Sequence, residues 1–520
     1  MPVPQLSEDK IATLSLSHLR RIVAVDSQSD ERSPTIPTTS GQKKLAALLE
    51  GFFSEQGAAV ERDDFANVIA RLPGRGAGAD KPPMALMVHI DTALGTAATD
   101  DLRLVPGWTG GAIPYAENAG LVVSVETYPQ VEPFLGQTLV HGPGVAPFGL
   151  DDKLGLTHLM TLACLLRQAP EIEHPPLLLI GRPDEECGRM EAVEGLAARL
   201  AEQGVAHGYT VDGILPFEIN VENFNAAMGA VRFDVTPGPE ASGARLRLHL
   251  GGVNTHGATA KAEGSRSAVR FAAEILQQLR ADGVDPAALT LTGFDSDPVR
   301  ECDAVLTWVA ADGGAALRAA VAKVVDPHRP RGASWHLAAD PSAPARALPG
   351  AEAALRFVSA FLASDPGFTL LAEESEGYDG YSSPIRILRD DQGLRLDVRI
   401  RDFSPEGLQR RIDHLTAQAK AHGHAAEAAH QYVNMGPRLA PHGHLVAWAM
   451  EAGASVGVDP QRGPIRGGTG VDPFLDHGVP IANVGTGYFA PESEKEFTSL
   501  EMMARHALWL VALVQRAAAG

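Results

Sequence analysis

At 520 residues and 54.8 kDa, the chain is too long for one compact domain and too short for three large ones. It is 45% hydrophobic and 21% charged with a mean hydropathy of −0.04, which excludes an extended disordered chain. Lys and Arg number 44 against 64 Asp and Glu, a formal charge of −20 that argues against a nucleic-acid partner.

Three cysteines (Cys164, Cys187, Cys302) are too few for a disulfide framework and point to a reducing, cytoplasmic setting. The first residues carry no basic segment followed by an apolar one, and no apolar run reaches about 18 residues, so neither secretion nor a membrane partner is expected.

Along the first 230 residues, helical and strand patterns alternate. Residues 42–56 have apolar positions at helical spacing up to Gly57. Residues 84–90 (MALMVHI) form a continuous apolar run, predicted as a strand buried on both faces. A helix is predicted at 154–166, a strand at 177–180, a helix at 190–203 and a strand at 208–211, which together make an α/β layer. From about residue 229 the texture changes. Residues 245–250 (RLRLHL) and 394–401 (LRLDVRIR) alternate strictly, as in an antiparallel sheet with one wet face. Helices are predicted at 267–280, 315–325 and 407–421, while 326–350, rich in Pro, Ala and Arg, reads as a loop. From residue 431 the α/β texture returns, with a helix at 444–452, a strand at 480–484 and a helix at 500–517. The expected fold class is therefore α/β, with a discontinuous domain (1–228 and 431–520) interrupted by an inserted α+β domain (229–430).

Acidic and histidine residues gather just beyond the carboxyl ends of the predicted strands: His89-Ile-Asp91, Asp151-Asp152, Glu185-Glu186 and Asp212. Open α/β sheets place their ligands there. Each alone has a plainer reading. A strand-end His or Asp can be a structural hydrogen-bond partner, Asp151-Asp152 an N-cap pair, and Glu185-Glu186 a solvated acidic pair. Four together form a crowd of carboxylates that needs a cation, and imidazole plus carboxylate without thiolate suits zinc, manganese or cobalt.

Eleven stretches, in order, carry a resemblance: VAVDSQSDERSPTIPTTSGQKKLA, VHIDTA, FGLDDKLG, RPDEECGR, YTVDG, FEINVENFNAA, GVNTHGATAKAEG, DVRIRDF, YVNMGPRL, PIRGGTG and KEFTSLEMM. The chain resembles the peptidase T group of the co-catalytic zinc exopeptidases, a family that includes carboxypeptidase G and acetylornithine deacetylase types. The resemblance spans Val23 to Met503 apart from about residues 290–385. It implies a mixed sheet flanked by helices, an inserted lid through which relatives dimerise, and two divalent metal ions, zinc first among them.

By the same resemblance His89 and Asp212 are ligands of one metal, Glu186 of the other, and Asp151 bridges the two. Asp91 accepts the second N–H of the imidazole, and Glu185 is the general base. His256 stabilises the tetrahedral intermediate, Arg401 holds the substrate carboxylate, and Asn254 and Arg466 contact the peptide. The activity implied is removal of the amino-terminal residue from short peptides. An amidohydrolase acting on N-acylated amino acids and a non-catalytic homologue are the alternatives.

The chain departs from the pattern at three places. The expected histidine ligand of the second metal falls on Glu492, Gly470 stands where RGGTD has its aspartate, and HGA at 256–258 replaces HPG. A glutamate at 492 either ligates through oxygen, making a harder and more charged site, or leaves the second metal displaced. Residues 290–385, where the resemblance is silent, are expected to form an excursion within the lid.

Overall fold

The apolar run at 84–90 supplies the strand Met84–His89, buried along its whole length near the middle of an eight-stranded mixed sheet. The sheet order is Ala59–Arg62, Val68–Leu72, Leu177–Arg182, Met84–His89, His207–Gly213, Ile481–Gly485, Glu218–Asn220 and Gln461–Gly463. Met84–His89 runs parallel to both its neighbours, and Ile481–Gly485 is parallel to His207–Gly213, so four adjacent strands present their carboxyl ends on one side. This computed structural model describes residues 7–364 and 377–520.

The helix Leu150–Gln168 is apolar nearly all round and buried accordingly. It packs between Glu8–Val23 and Leu500–Ala519, and one continuous core runs through the sheet and these helices.

The chain divides into two compact units, the first made of residues up to Asn118 with Ser124–Asn223 and Asn434–Gly520, the second of Ala119–Val123 and Phe224–Val433. The second unit holds two four-stranded antiparallel sheets. In one, Leu394, Leu396, Val398 and Ile400 of Gly393–Asp402 point into a core shared with the helices Ala268–Ala281, Pro349–Ala363 and Pro405–Ala421. The alternation is realised on this face, but the opposite one is not wet throughout, since Asp397 and Arg401 are buried there.

Two expectations change. The Pro- and Ala-rich segment 326–350 is not simply a loop, because Ser334–Ala339 pairs antiparallel with Ala244–Gly251 and buries Leu337. Its composition hid a short strand whose neighbour, not its own pattern, dictates the pairing. Nor is the 290–385 stretch an excursion in its described part. Leu289–Ser296, Ala304–Ala310 and Ser334–Ala339 supply most of one sheet, with Phe294, Leu306 and Trp308 in the unit's core. Residues 365–376 of that stretch lie outside the described residues.

Candidate metal centre

His89 closes its strand, Arg182 closes the neighbouring Leu177–Arg182, and Asp212 stands next to the end of His207–Gly213. The register pairs His89 with Arg182. A buried parallel sheet thus delivers an imidazole, a guanidinium and a carboxylate to one edge. His89 Nε2 lies 3.0 Å from Asp151 Oδ1 and 3.4 Å from Asp212 Oδ1.

Among the described residues, two groups of side chains have ligand atoms all within 4.8 Å of one another: His89, Asp151 and Asp212 form one, and Asp151, Glu186 and Glu492 the other. Asp151 belongs to both. The five residues expected from the sequence as ligands therefore converge, Glu492 included.

The donor set fits two divalent cations. Glu186 Oε1 is buried and has no hydrogen-bond partner among the described residues. Burial, with Glu492 and Asp151 adding repulsion, pushes the Glu186 carboxyl well above its usual range. Burial also raises Asp212. For His89, burial works against the charged form, but Asp212, Asp151 and Asp91 outweigh it and raise the pKa. A cation among these groups replaces repulsion with attraction, and one imidazole among carboxylates suits zinc, manganese or cobalt.

The Glu185 carboxyl is pushed up to about 7, mainly by burial, with Asp212 adding to the rise and His89 and Arg182 opposing it. Its backbone is held by Asp91. That carboxylate is fully buried and accepts the N–H of Glu185 and of Glu186, each at 3.0 Å. The sequence assigned Asp91 to the imidazole's other nitrogen, and the structure adds a nearer acceptor. His89 Nδ1 is 3.0 Å from the Asp91 carbonyl oxygen and 3.4 Å from its carboxylate. Asp91 therefore orients both the imidazole and the glutamate pair.

Asp151 and Asp152 divide the two roles their sequence allowed. Asp152 Oδ1 accepts from the Gly155 N–H at 3.1 Å, an N-capping bond, and its Oδ2 accepts from the His89 N–H at 3.3 Å. Asp151 is left to face the ligand groups.

Several contributors were not singled out from sequence. The Tyr488 hydroxyl donates to Asp151 Oδ2 at 3.0 Å. The Glu496 carboxylate accepts backbone N–H groups from Phe148, Gly149 (2.7 Å) and Leu150 (3.3 Å), fixing the loop that leads into Asp151. Asp184 accepts from Thr38 Oγ1 and from Gln42 Nε2, each at 2.6 Å, tying the Glu185 turn to the helix Ser40–Glu55. Glu496 and Asp184 both lie inside the quoted motifs, Asp184 beside Glu185 and Glu496 four residues after Glu492, and that nearness was the available signal.

His256, Asn254 and Arg401 belong to the second unit. His256 Nδ1 accepts from the Ala258 N–H at 3.2 Å, and the Cys302 thiol points at Asn254 Oδ1 across 3.7 Å. Arg401 is buried, with Nη1 donating to the carbonyls of Ala227 and Ile400 and to Gln431 Oε1, and with its guanidinium over the Tyr432 ring. Two residues earlier, Arg399 pairs with Glu301 at 2.6 Å and lines a cavity with Thr255, Gly257 and Ser383. Arg466 lies half-buried in the first unit, in the loop after Gln461–Gly463.

No family model matches the chain. Peptidase T of Geobacillus thermodenitrificans (strain NG80-2) is 26% identical over 511 residues, covering 96% of this chain and 97% of its own. Peptidase T of Shouchella clausii (strain KSM-K16) is 27% identical over 496 residues, covering 94% of each. Among solved structures, a tripeptidase from Staphylococcus aureus subsp. aureus Mu50 superposes with a TM-score of 0.50 at 13% identity, covering 98% of this chain and 99% of that one, which shows a shared fold. Along nearly its whole length, and in the order of its motifs, this chain is thus similar to proteins named peptidase T.

Proposed function

We propose that the protein hydrolyses the amino-terminal peptide bond of short peptides, tripeptides first among them. The observation that carries the reading is the pair of ligand groups sharing Asp151, with Glu185 in the same loop as Glu186. His89, Asp151 and Asp212 would hold one cation and Asp151, Glu186 and Glu492 the other, with zinc the expected ion. When bound, the two ions lower the pKa of a water molecule and polarise the scissile carbonyl.

The remaining work falls to the side chains. Glu185 removes a proton from the attacking water as its oxygen bonds to the carbonyl carbon. It then returns that proton to the leaving nitrogen as the C–N bond breaks, so atoms and charge balance. Asp91 keeps Glu185 in place through its backbone N–H and keeps the His89 ring in one orientation. By the same reading His256 donates to the tetrahedral oxyanion. Arg401 receives the peptide's carboxylate, and Asn254 and Arg466 contact its backbone. Free cysteines at 164, 187 and 302 support a cytoplasmic setting, no described helix is long and apolar enough to cross a membrane, and a homodimer through the second unit is part of the reading.

The test is a substrate panel. Zinc- or manganese-loaded protein is incubated with tripeptides, dipeptides and N-acyl amino acids, with Glu185→Gln alongside. Tripeptide cleavage from the amino end, lowered at least about a hundredfold by the substitution, is the expected result. Turnover confined to acylated compounds would instead establish a deacylase, and a folded, metal-binding protein inert to every compound would mark a non-catalytic relative.

A further inference from the structure

Arg182 is fully buried at the carboxyl end of Leu177–Arg182. A guanidinium brings five N–H donors and a charge that does not titrate away in a protein. Only part of this is matched. Nη2 donates to the Thr469 carbonyl at 2.9 Å and stands 3.9 Å from Asp212 Oδ2, while Nε and Nη1 make no hydrogen bond with the described residues. Burying a charge so sparsely paired is costly unless an opposite charge close by gains from it. Asp212 is that charge.

Gly470 makes the room. Its φ of +56° is left-handed, and a Cβ built there would stand 2.3 Å from Arg182 Nη1 and 2.7 Å from Nη2. A side chain at 470 and the guanidinium thus compete for one volume. In this chain, where the RGGTD pattern would set an aspartate, the space goes to a cation.

Resting on the metal-centre reading, we propose that Arg182 is a positioning residue that acts as the built-in counter-charge of the His89–Asp151–Asp212 group. It steadies Asp212 when no cation is bound and opposes a cation when one arrives. The two groups then differ in charge. One combines two carboxylates with a nearby guanidinium, and the other combines three carboxylates, Glu492 supplying the extra one. Divalent ions therefore fill the Glu186–Glu492 side first and the His89–Asp212 side second.

The experiment uses full-length protein stripped with a chelator, titrated calorimetrically with zinc and with manganese, and melted with and without metal. Wild type is expected to bind in two steps. In Arg182→Met the weaker step tightens about tenfold or more, as expected for removing a unit charge a few ångströms away, and the metal-free protein melts earlier. Arg182→Lys keeps the charge and stays near wild type.

A role in packing alone would lower the melting of metal-free and loaded protein equally and leave both affinities untouched, which would overturn the proposal. So would equal tightening in Arg182→Lys. Gly470→Asp covers the case in which Arg182→Met fails to fold. Aspartate tolerates the left-handed region, and the clash is with the end of a flexible side chain. Paired with the new carboxylate, Arg182 no longer opposes the ion, so the weaker step tightens here too; an unchanged step counts against the proposal. Two-step binding that ignores every variant defeats the role of Arg182 alone, whereas a wild type that binds no metal defeats the metal-centre reading itself.

Discussion

Glu492 has a left-handed backbone, φ +53°, and brings its carboxylate to the group formed with Asp151 and Glu186. A non-glycine residue in that region costs about 1–3 kcal/mol and persists where its surroundings enforce it. As an oxygen donor it makes the second site harder and more negative than an imidazole would. Replacing it tests both properties. In Glu492→His, zinc affinity at the second site should rise about tenfold, and preference should move from manganese toward zinc, because a neutral nitrogen donor suits zinc better. Competitive titrations with the two ions read this directly. Unchanged stoichiometry, affinities and preference would remove Glu492 from the ligand set.

At the scale of elements, the helix Leu150–Gln168 links the centre to the core, and it carries a titratable residue into an apolar layer. His158 is fully buried, stacks on His506 and bonds the Thr486 carbonyl through Nε2 at 2.9 Å. Burial lowers its pKa to about 4. Because the unfolded chain has an ordinary histidine there, the unfolded state alone takes up this proton between pH about 6.5 and about 4, and stability falls as pH falls through that window. The contribution is about 1.4 kcal/mol per pH unit. His158→Gln, whose amide can still donate to Thr486, should therefore lose less stability than wild type between pH 6.5 and 4.5, by about that slope. Urea midpoints at several pH values measure the difference, and parallel curves for the two proteins would refute it.

This helix also shows what the sequence could reveal. Its helical pattern was readable at 154–166, and the apolar runs at 84–90 and 177–180 announced buried strands, since a parallel sheet covered on both faces reads as near-continuous apolar runs. The meeting of His89 and Asp212 was readable because strand ends fix both in space. What stayed hidden depended on partners distant in sequence. Ser334–Ala339 is a strand because Ala244–Gly251 offers an edge. Asp152 caps while Asp151 faces the ligand groups because of a backbone conformation that no dipeptide spells out. Arg182 has its place because Gly470, nearly three hundred residues later, lacks a side chain.

For the whole molecule, each unit has its own hydrophobic core, and both ligand groups lie in the first. A cation that binds only the folded state stabilises what it binds by RT ln(1 + [L]/Kd), about 2.7 kcal/mol at a hundredfold excess over Kd. Scanning calorimetry of chelator-treated protein is thus expected to resolve two transitions, because chains of this size seldom unfold in a single step. Added zinc should raise one of them by about 5 °C or more and leave the other in place. The net charge of −20 sharpens the comparison, since monovalent salt screens acidic repulsion generally and should move both transitions together. The unit that responds to zinc can then be identified by Asp151→Asn, which removes the carboxylate common to both groups and should abolish the zinc-dependent shift while keeping the salt-dependent one. A zinc shift that survives this substitution would place the stabilising cation outside the centre.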